Sequence, residues 1–135
     1  MSNSLPLSML YLSLISCLAI FLTFAVVKIR LKPNVGLSDG DNETLIRQMR
    51  VQANLLENFL PFSILFILAE LSSFSIIFLH CVGVIFLLAR IAHAHGFSNN
   101  PGKSLGRYYG TLATWLVIIL LIVINLYQSF MILLG

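Results

Sequence analysis

The stretch RVQANLLENFLPF, residues 50–62, opens an apolar segment yet sets Arg50, Asn54, Glu57 and Asn58 where a membrane-crossing helix is expected to be greasy. At 3.6 residues per turn, Arg50, Asn54 and Glu57 fall within roughly 60° of arc and about 10 Å of axis, with Arg47 and Pro61 close to the same stripe. Charge in a bilayer costs about 2.5–3.5 kcal/mol per residue on insertion scales. A chain that keeps an Arg and a Glu there is expected to bury them against protein, a partner helix or a ligand.

The surrounding composition sets the class. Of 135 residues, 59% are hydrophobic and only 10% charged, and the mean hydropathy is +0.96. Soluble domains carry about 25% charged residues, so the chain reads as an integral membrane protein with one domain over residues 1–135. A net charge of +3 would hint at nucleic acid in a soluble chain. Here the placement of the charges matters more than their sum, and no nucleic-acid partner is expected. Cys17 and Cys81 both sit in apolar runs with no metal or redox spacing, which makes them small hydrophobes.

Four spans follow from the apolar runs, at about residues 5–27, 48–71, 74–94 and 107–134. No Lys or Arg precedes the first run, while Lys28, Arg30 and Lys32 follow it, so it is expected to remain as a span rather than be removed as a signal peptide. The first loop, KIRLKPNVGLSDGDN, is punctuated by Pro33, Gly36 and Gly40, and Asp39, Asp41 and Asn42 are N-cap candidates for the second helix. In that helix Pro61 removes one backbone bond and crowds the carbonyl of Glu57, which predicts a kink beside the polar stripe. Residues 70–73 read as a tight connection and residues 93–106, HAHGFSNNPGKSLG, as a loop. All eight basic residues (Lys28, Arg30, Lys32, Arg47, Arg50, Arg90, Lys103 and Arg107) then lie on one side. The positive-inside rule turns that side to the cytoplasm and both termini away from it.

Each candidate residue has a structural and a functional reading. In the stripe of Arg47, Arg50, Asn54 and Glu57, the Glu can pair with an Arg of a neighbouring helix while Asn54 bridges helices. Alternatively, the Arg holds a ligand carboxylate and the Glu an ammonium. Arg90 can snorkel to lipid head groups. His93 and His95, two apart on a helix, point to different sides, so no shared metal site is expected. His80 reads as an interfacial or helix-contact residue. Arg107 and Tyr108 open the fourth helix. An Arg there stands against the helix dipole and, with the terminal amides, can meet an anion; the alternative is interfacial anchoring. No P-loop, zinc spacing or nucleophile elbow occurs.

Taken together, Arg50-x-x-x-Asn54-x-x-Glu57 with Pro61 after it, the length, the four spans, the basic loops and GRYYGTLATWLV (residues 106–117) resemble the MAPEG family, the membrane-associated proteins in eicosanoid and glutathione metabolism. The resemblance covers nearly the whole chain. It implies an all-α four-helix bundle assembling as a homotrimer, with glutathione as co-substrate between neighbouring subunits near the cytoplasmic side. It further implies that Arg50, Asn54 and Glu57 hold the tripeptide and that Arg107 is the catalytic residue favouring its thiolate. Arg47, Arg90 and Tyr108 complete the expected glutathione-binding set, and no metal is called for. Two departures separate the chain from eicosanoid-pathway members. Asn58 stands where those often carry a tyrosine, and His93, His95 and Phe97 replace tyrosines and arginines at the end of the third helix. The short bacterial branch, in an inner membrane, is the nearer resemblance.

Three functions are therefore weighed. The first is a glutathione transferase or peroxidase acting on a small lipophilic substrate in the bilayer. The second is a non-catalytic membrane protein whose stripe only locks the oligomer. The third is a small exporter, which would need a carboxylate in its first span, and residues 5–27 have none.

Overall fold

In the computed structural model, which describes residues 4–31, 38–100 and 102–135, four helices follow one another: α1 (Pro6–Leu31), α2 (Glu43–Leu71), α3 (Ile76–Asn99) and α4 (Leu105–Leu134). All four are long and apolar enough to cross a membrane, α2 being the least apolar.

The helix ends show how local chemistry sets the architecture. α1 starts with Pro6, whose missing N–H costs nothing at a first helical position, and has no acidic residue of its own in the first turn. Glu70, near the far end of α2, supplies that charge. Its carboxylate accepts the Leu7 amide at 2.8 Å, the Ser8 amide at 2.7 Å and the Ser8 hydroxyl at 2.5 Å. A carboxylate there satisfies orphan amides and complements the positive end of the helix dipole. The sequence places Glu70 in a connection; it is instead helical and ties α1 to α2. Glu70→Ala is expected to cost about 1–2 kcal/mol, as loss of a helix cap does. Faster hydrogen exchange at the Leu7 and Ser8 amides would register it; unchanged protection there would refute the tie.

α2 is capped by Asn42, whose Oδ1 accepts the Leu45 amide at 3.0 Å, after a turn in which Gly40 and Asp41 hold φ of 58° and 56°. Ser75 and Ser104 cap α3 and α4 through their hydroxyls. At the other end of α1 the helix runs past the expected stop at residue 27 to Leu31, so Lys28 and Arg30 occupy its last turn, where cations suit the dipole. The punctuating Pro33 and Gly36, with Lys32, lie outside the described residues.

The larger correction concerns α3. Residues 93–99, read as the start of a loop, continue the helix to Asn99. Gly96 misled that reading. Its glycine is required by close packing and not by a turn, because a Cβ there would stand 2.7 Å from the Arg107 amide nitrogen and the Ser104 hydroxyl oxygen. Gly106 and Gly110 repeat the arrangement from α4, meeting the carbonyls of Ala92 and Ala89 at 2.7 and 2.6 Å from the Cβ they lack. Small residues four apart let helices touch along their backbones, which drives packing where lipid is as apolar as the side chains.

On the other side of the bundle, aromatic rings join α1, α2 and α3. Phe62 and Phe86 stack with centroids 3.7 Å apart, and Tyr11 meets Phe66 edge-on at 6.0 Å. The Tyr11 ring lies against Gly83, and its hydroxyl hydrogen-bonds His80 Nδ1 at 2.7 Å. His80 is thus a helix-contact residue. Asn125 binds α4 to α2 by donating to the Leu65 carbonyl at 3.0 Å.

Candidate functional site

Where the basic ends of α2, α3 and α4 converge, a cleft of about 290 Å³ opens, lined by Arg50, Ala53, Asn54, Glu57, Phe97 and Arg107. α2 contributes its stripe as the helical period requires, and Ala53 between the polar residues leaves room for the cleft. Pro61 has no N–H to offer the Glu57 carbonyl, so this turn of α2 lacks one internal bond. Asn58 turns away from the cleft and donates to the Asn54 carbonyl at 2.8 Å.

Arg107 enters from the first turn of α4. Its guanidinium lies 3.9 Å from the centroid of the Phe97 ring, a cation–π contact that offsets an otherwise unfavourable place at a helix N-terminus. Because the Ser104 hydroxyl takes up the Arg107 amide at 3.3 Å, α4 meets the cleft chiefly through the guanidinium. Among the described residues, the side chains of Arg50 and Glu57 have no hydrogen-bond or ion-pair partner. The cleft is therefore lined by two guanidiniums and one carboxylate that form no ion pair among the described residues. Such a lining suits a ligand that is anionic overall and carries an ammonium.

Arg90 stands behind this wall. It does not snorkel outward: the side chain is 1% exposed. It donates to Asn54 Oδ1 at 2.8 Å, to Thr114 Oγ1 at 3.3 Å and to His93 Nδ1 at 3.1 Å. Acceptors from α2, α4 and its own helix hold it inside, where lipid head groups have nothing better to offer. Asn54 thus does bridge helices, as its structural reading requires, and it lines the cleft as well.

Of the residues expected to act together, the fold gathers Arg50, Asn54, Glu57 and Arg107 around one cleft and sets Arg90 beneath it. Arg47, half-buried, is not among the lining residues. Tyr108 faces elsewhere, into an apolar groove of about 850 Å³ along α4 that it shares with Leu105, Leu112 and Trp115. Arg107 borders both the cleft and the groove. The sequence weighs His93 against a metal pair with His95, and both His93 and Phe97 as departures from the eicosanoid-pathway pattern; neither is expected in the cleft wall. Their signal was the spacing Arg90, His93, Phe97, which puts the three on one face of a helix once α3 is known to reach that far. His95, two residues along, is exposed and among the described residues its side chain bonds with Asn99.

The chain matches the family model described as the MAPEG family over residues 8–127. It is also similar to the inner membrane protein YecN of Escherichia coli (strain K12), with 29% identity over 121 residues that make up 89% of this chain and 90% of that protein. The YecN protein of Escherichia coli O6:H1 matches to the same extent.

Proposed function

This chain belongs to the MAPEG family, and from that premise we propose that it is a glutathione-dependent membrane enzyme, a transferase or peroxidase acting on lipophilic electrophiles. The observation that carries the reading is the convergence of Arg50, Asn54, Glu57 and Arg107 on one cleft, with the Arg50 and Glu57 side chains unpartnered among the described residues. Glutathione has two carboxylates and one ammonium. Arg50 and Asn54 suit the former and Glu57 the latter. The thiol must lose its proton to attack, and the Arg107 guanidinium favours the resulting thiolate. The thiolate then forms a bond to an electrophilic carbon, which either expels its leaving group as an anion or passes a π pair to a conjugated acceptor that takes up the proton lost by the thiol. With a peroxide it bonds to one oxygen and the other leaves as alkoxide or hydroxide, and a second glutathione thiol then displaces water from the resulting sulfenic acid to give the disulfide. The apolar groove along α4, which meets the cleft at Arg107, suits the lipophilic partner.

The same reading includes the assembly and the setting. At about 290 Å³ the cleft lies at the lower edge of small-molecule sites, about 300–1,000 Å³, and a neighbouring subunit in a homotrimer would complete it. A bacterial inner membrane is in keeping with the name of the Escherichia coli relatives, and by the positive-inside rule the basic ends of the helices face the cytoplasm and both termini face away.

Glutathione is expected to raise the melting temperature of the detergent-purified protein, since a ligand of the folded state at 100 times its Kd stabilises by about 2.7 kcal/mol. No shift at millimolar glutathione, together with no conjugating or peroxidase activity, would sink the proposal. A purely structural stripe is favoured by one observation, the Asn54–Arg90 bridge. On that reading Glu57→Gln would dissociate the oligomer; here it is expected to weaken glutathione binding and leave the oligomer intact, which size-exclusion chromatography decides.

A further inference from the structure

Arg90 presents a problem that its location beneath the cleft resolves. Among the described residues no carboxylate pairs with it, and its Nε has no hydrogen-bond partner. Its three partners, Asn54, His93 and Thr114, are acceptors at neutral atoms. Such acceptors satisfy N–H groups but do not cancel a charge, and an isolated buried charge is costly. The donor and acceptor roles are nonetheless fixed, because a guanidinium only donates. Thr114 must accept from Arg90 while giving its own proton to the Gly110 carbonyl at 2.7 Å. His93 must accept at Nδ1, which leaves its neutral ring protonated at Nε2. Asn54 must turn its oxygen inward to Arg90, so that its amide nitrogen, without a partner among the described residues, is left for the cleft.

We propose that Arg90 is a positioning residue: it pins Asn54 as a donor toward the cleft and backs it with an uncompensated positive charge, so that the place beside Asn54 takes a carboxylate of the ligand. Naming that carboxylate as one of glutathione's rests on the function proposed above; the pinning and the missing countercharge do not.

Asn54→Asp separates this from a bridging role, because aspartate keeps the acceptor that Arg90 needs and removes the donor the cleft needs. It also brings a countercharge to Arg90. Without ligand, the Asn54→Asp protein is expected to melt several degrees higher than wild type. By calorimetric titration, its affinity for glutathione is expected to fall about 10- to 100-fold, the equivalent of one lost hydrogen bond to a charged group. Asn54→Ala, which adds no negative charge, is expected to lose less affinity than Asn54→Asp. Glutathione binding by Asn54→Asp at wild-type strength would overturn the proposal, as would a lower melting temperature for the ligand-free variant. Should wild type itself bind no glutathione, the proposed function falls, while the ligand-free melting temperature still decides whether Arg90 lacks a countercharge.

Discussion

Gly110→Val is expected to leave little folded protein. Gly110 is buried where α4 crosses α3, and a Cβ placed there would lie 2.6 Å from the Ala89 carbonyl oxygen and 2.9 Å from the His93 backbone nitrogen. Both are main-chain atoms of a helix and neither can step aside as a flexible side chain would. The helices must separate. That separation would strip the Thr114 contact from Arg90 and draw Arg107 away from Phe97. Overpacking in cores typically costs about 1–3 kcal/mol. Here the added methyls of valine meet backbone on two sides, and we expect the upper end of that range or beyond, with Gly110→Ala already destabilising. Gly102→Ala is the control, since nothing lies within 4 Å of the added carbon. Thermal melts of the two alanine variants in the same detergent test the contrast, and equal melting temperatures would mean that α3 and α4 do not meet as described.

The second large effect falls on chemistry. Arg107→Leu is expected to reduce kcat for glutathione conjugation about 100- to 1,000-fold, the range seen when a single preorganised charge-stabilising donor is removed from an active site. KM for glutathione should change much less, because Arg50, Asn54 and Glu57 remain. On the proposed function, loss of the cation withdraws the stabilisation of the thiolate. The residual activity of Arg107→Leu should therefore be regained only at higher pH, and the ultraviolet absorbance of bound thiolate at neutral pH should vanish. Arg107→Lys is expected to recover part of the rate, since an ammonium keeps the charge but lacks the planar fork and stacks less well on Phe97. A wild-type pH profile in Arg107→Leu would remove Arg107 from the reaction.

What could be read from the sequence depended on whether a residue's partners lie on its own helix. Arg50, Asn54 and Glu57 are one turn apart on α2, so their common face follows from the helical period alone. Arg107 was conspicuous because a cation at a helix start opposes the dipole. Arg90 was conspicuous as a charge near the end of a span, yet its fate was decided by Asn54 and Thr114 on two other helices, which no local pattern encodes. Phe97 and His93 were hidden behind a misread glycine. In a soluble protein, Gly96 among histidines and asparagines would argue for a turn; in a membrane bundle it equally marks the point where a neighbouring backbone comes close. The segment GRYYG, residues 106–110, carries the same small-residue spacing.

The carboxylate of Glu70 bears on the order in which the chain assembles. The amides of Leu7 and Ser8 have their acceptor some sixty residues downstream, at the end of the helix that returns across the membrane. As synthesis proceeds from the N-terminus, the first turn of α1 lacks this acceptor until residue 70 has been made. The helical hairpin of α1 and α2 is therefore the shortest stretch that holds both halves of this contact, and a chain halted before residue 70 is expected to hold an α1 that frays at its start. α3 and α4 come later in the chain, and they bring Phe97 and Arg107 to the stripe on α2.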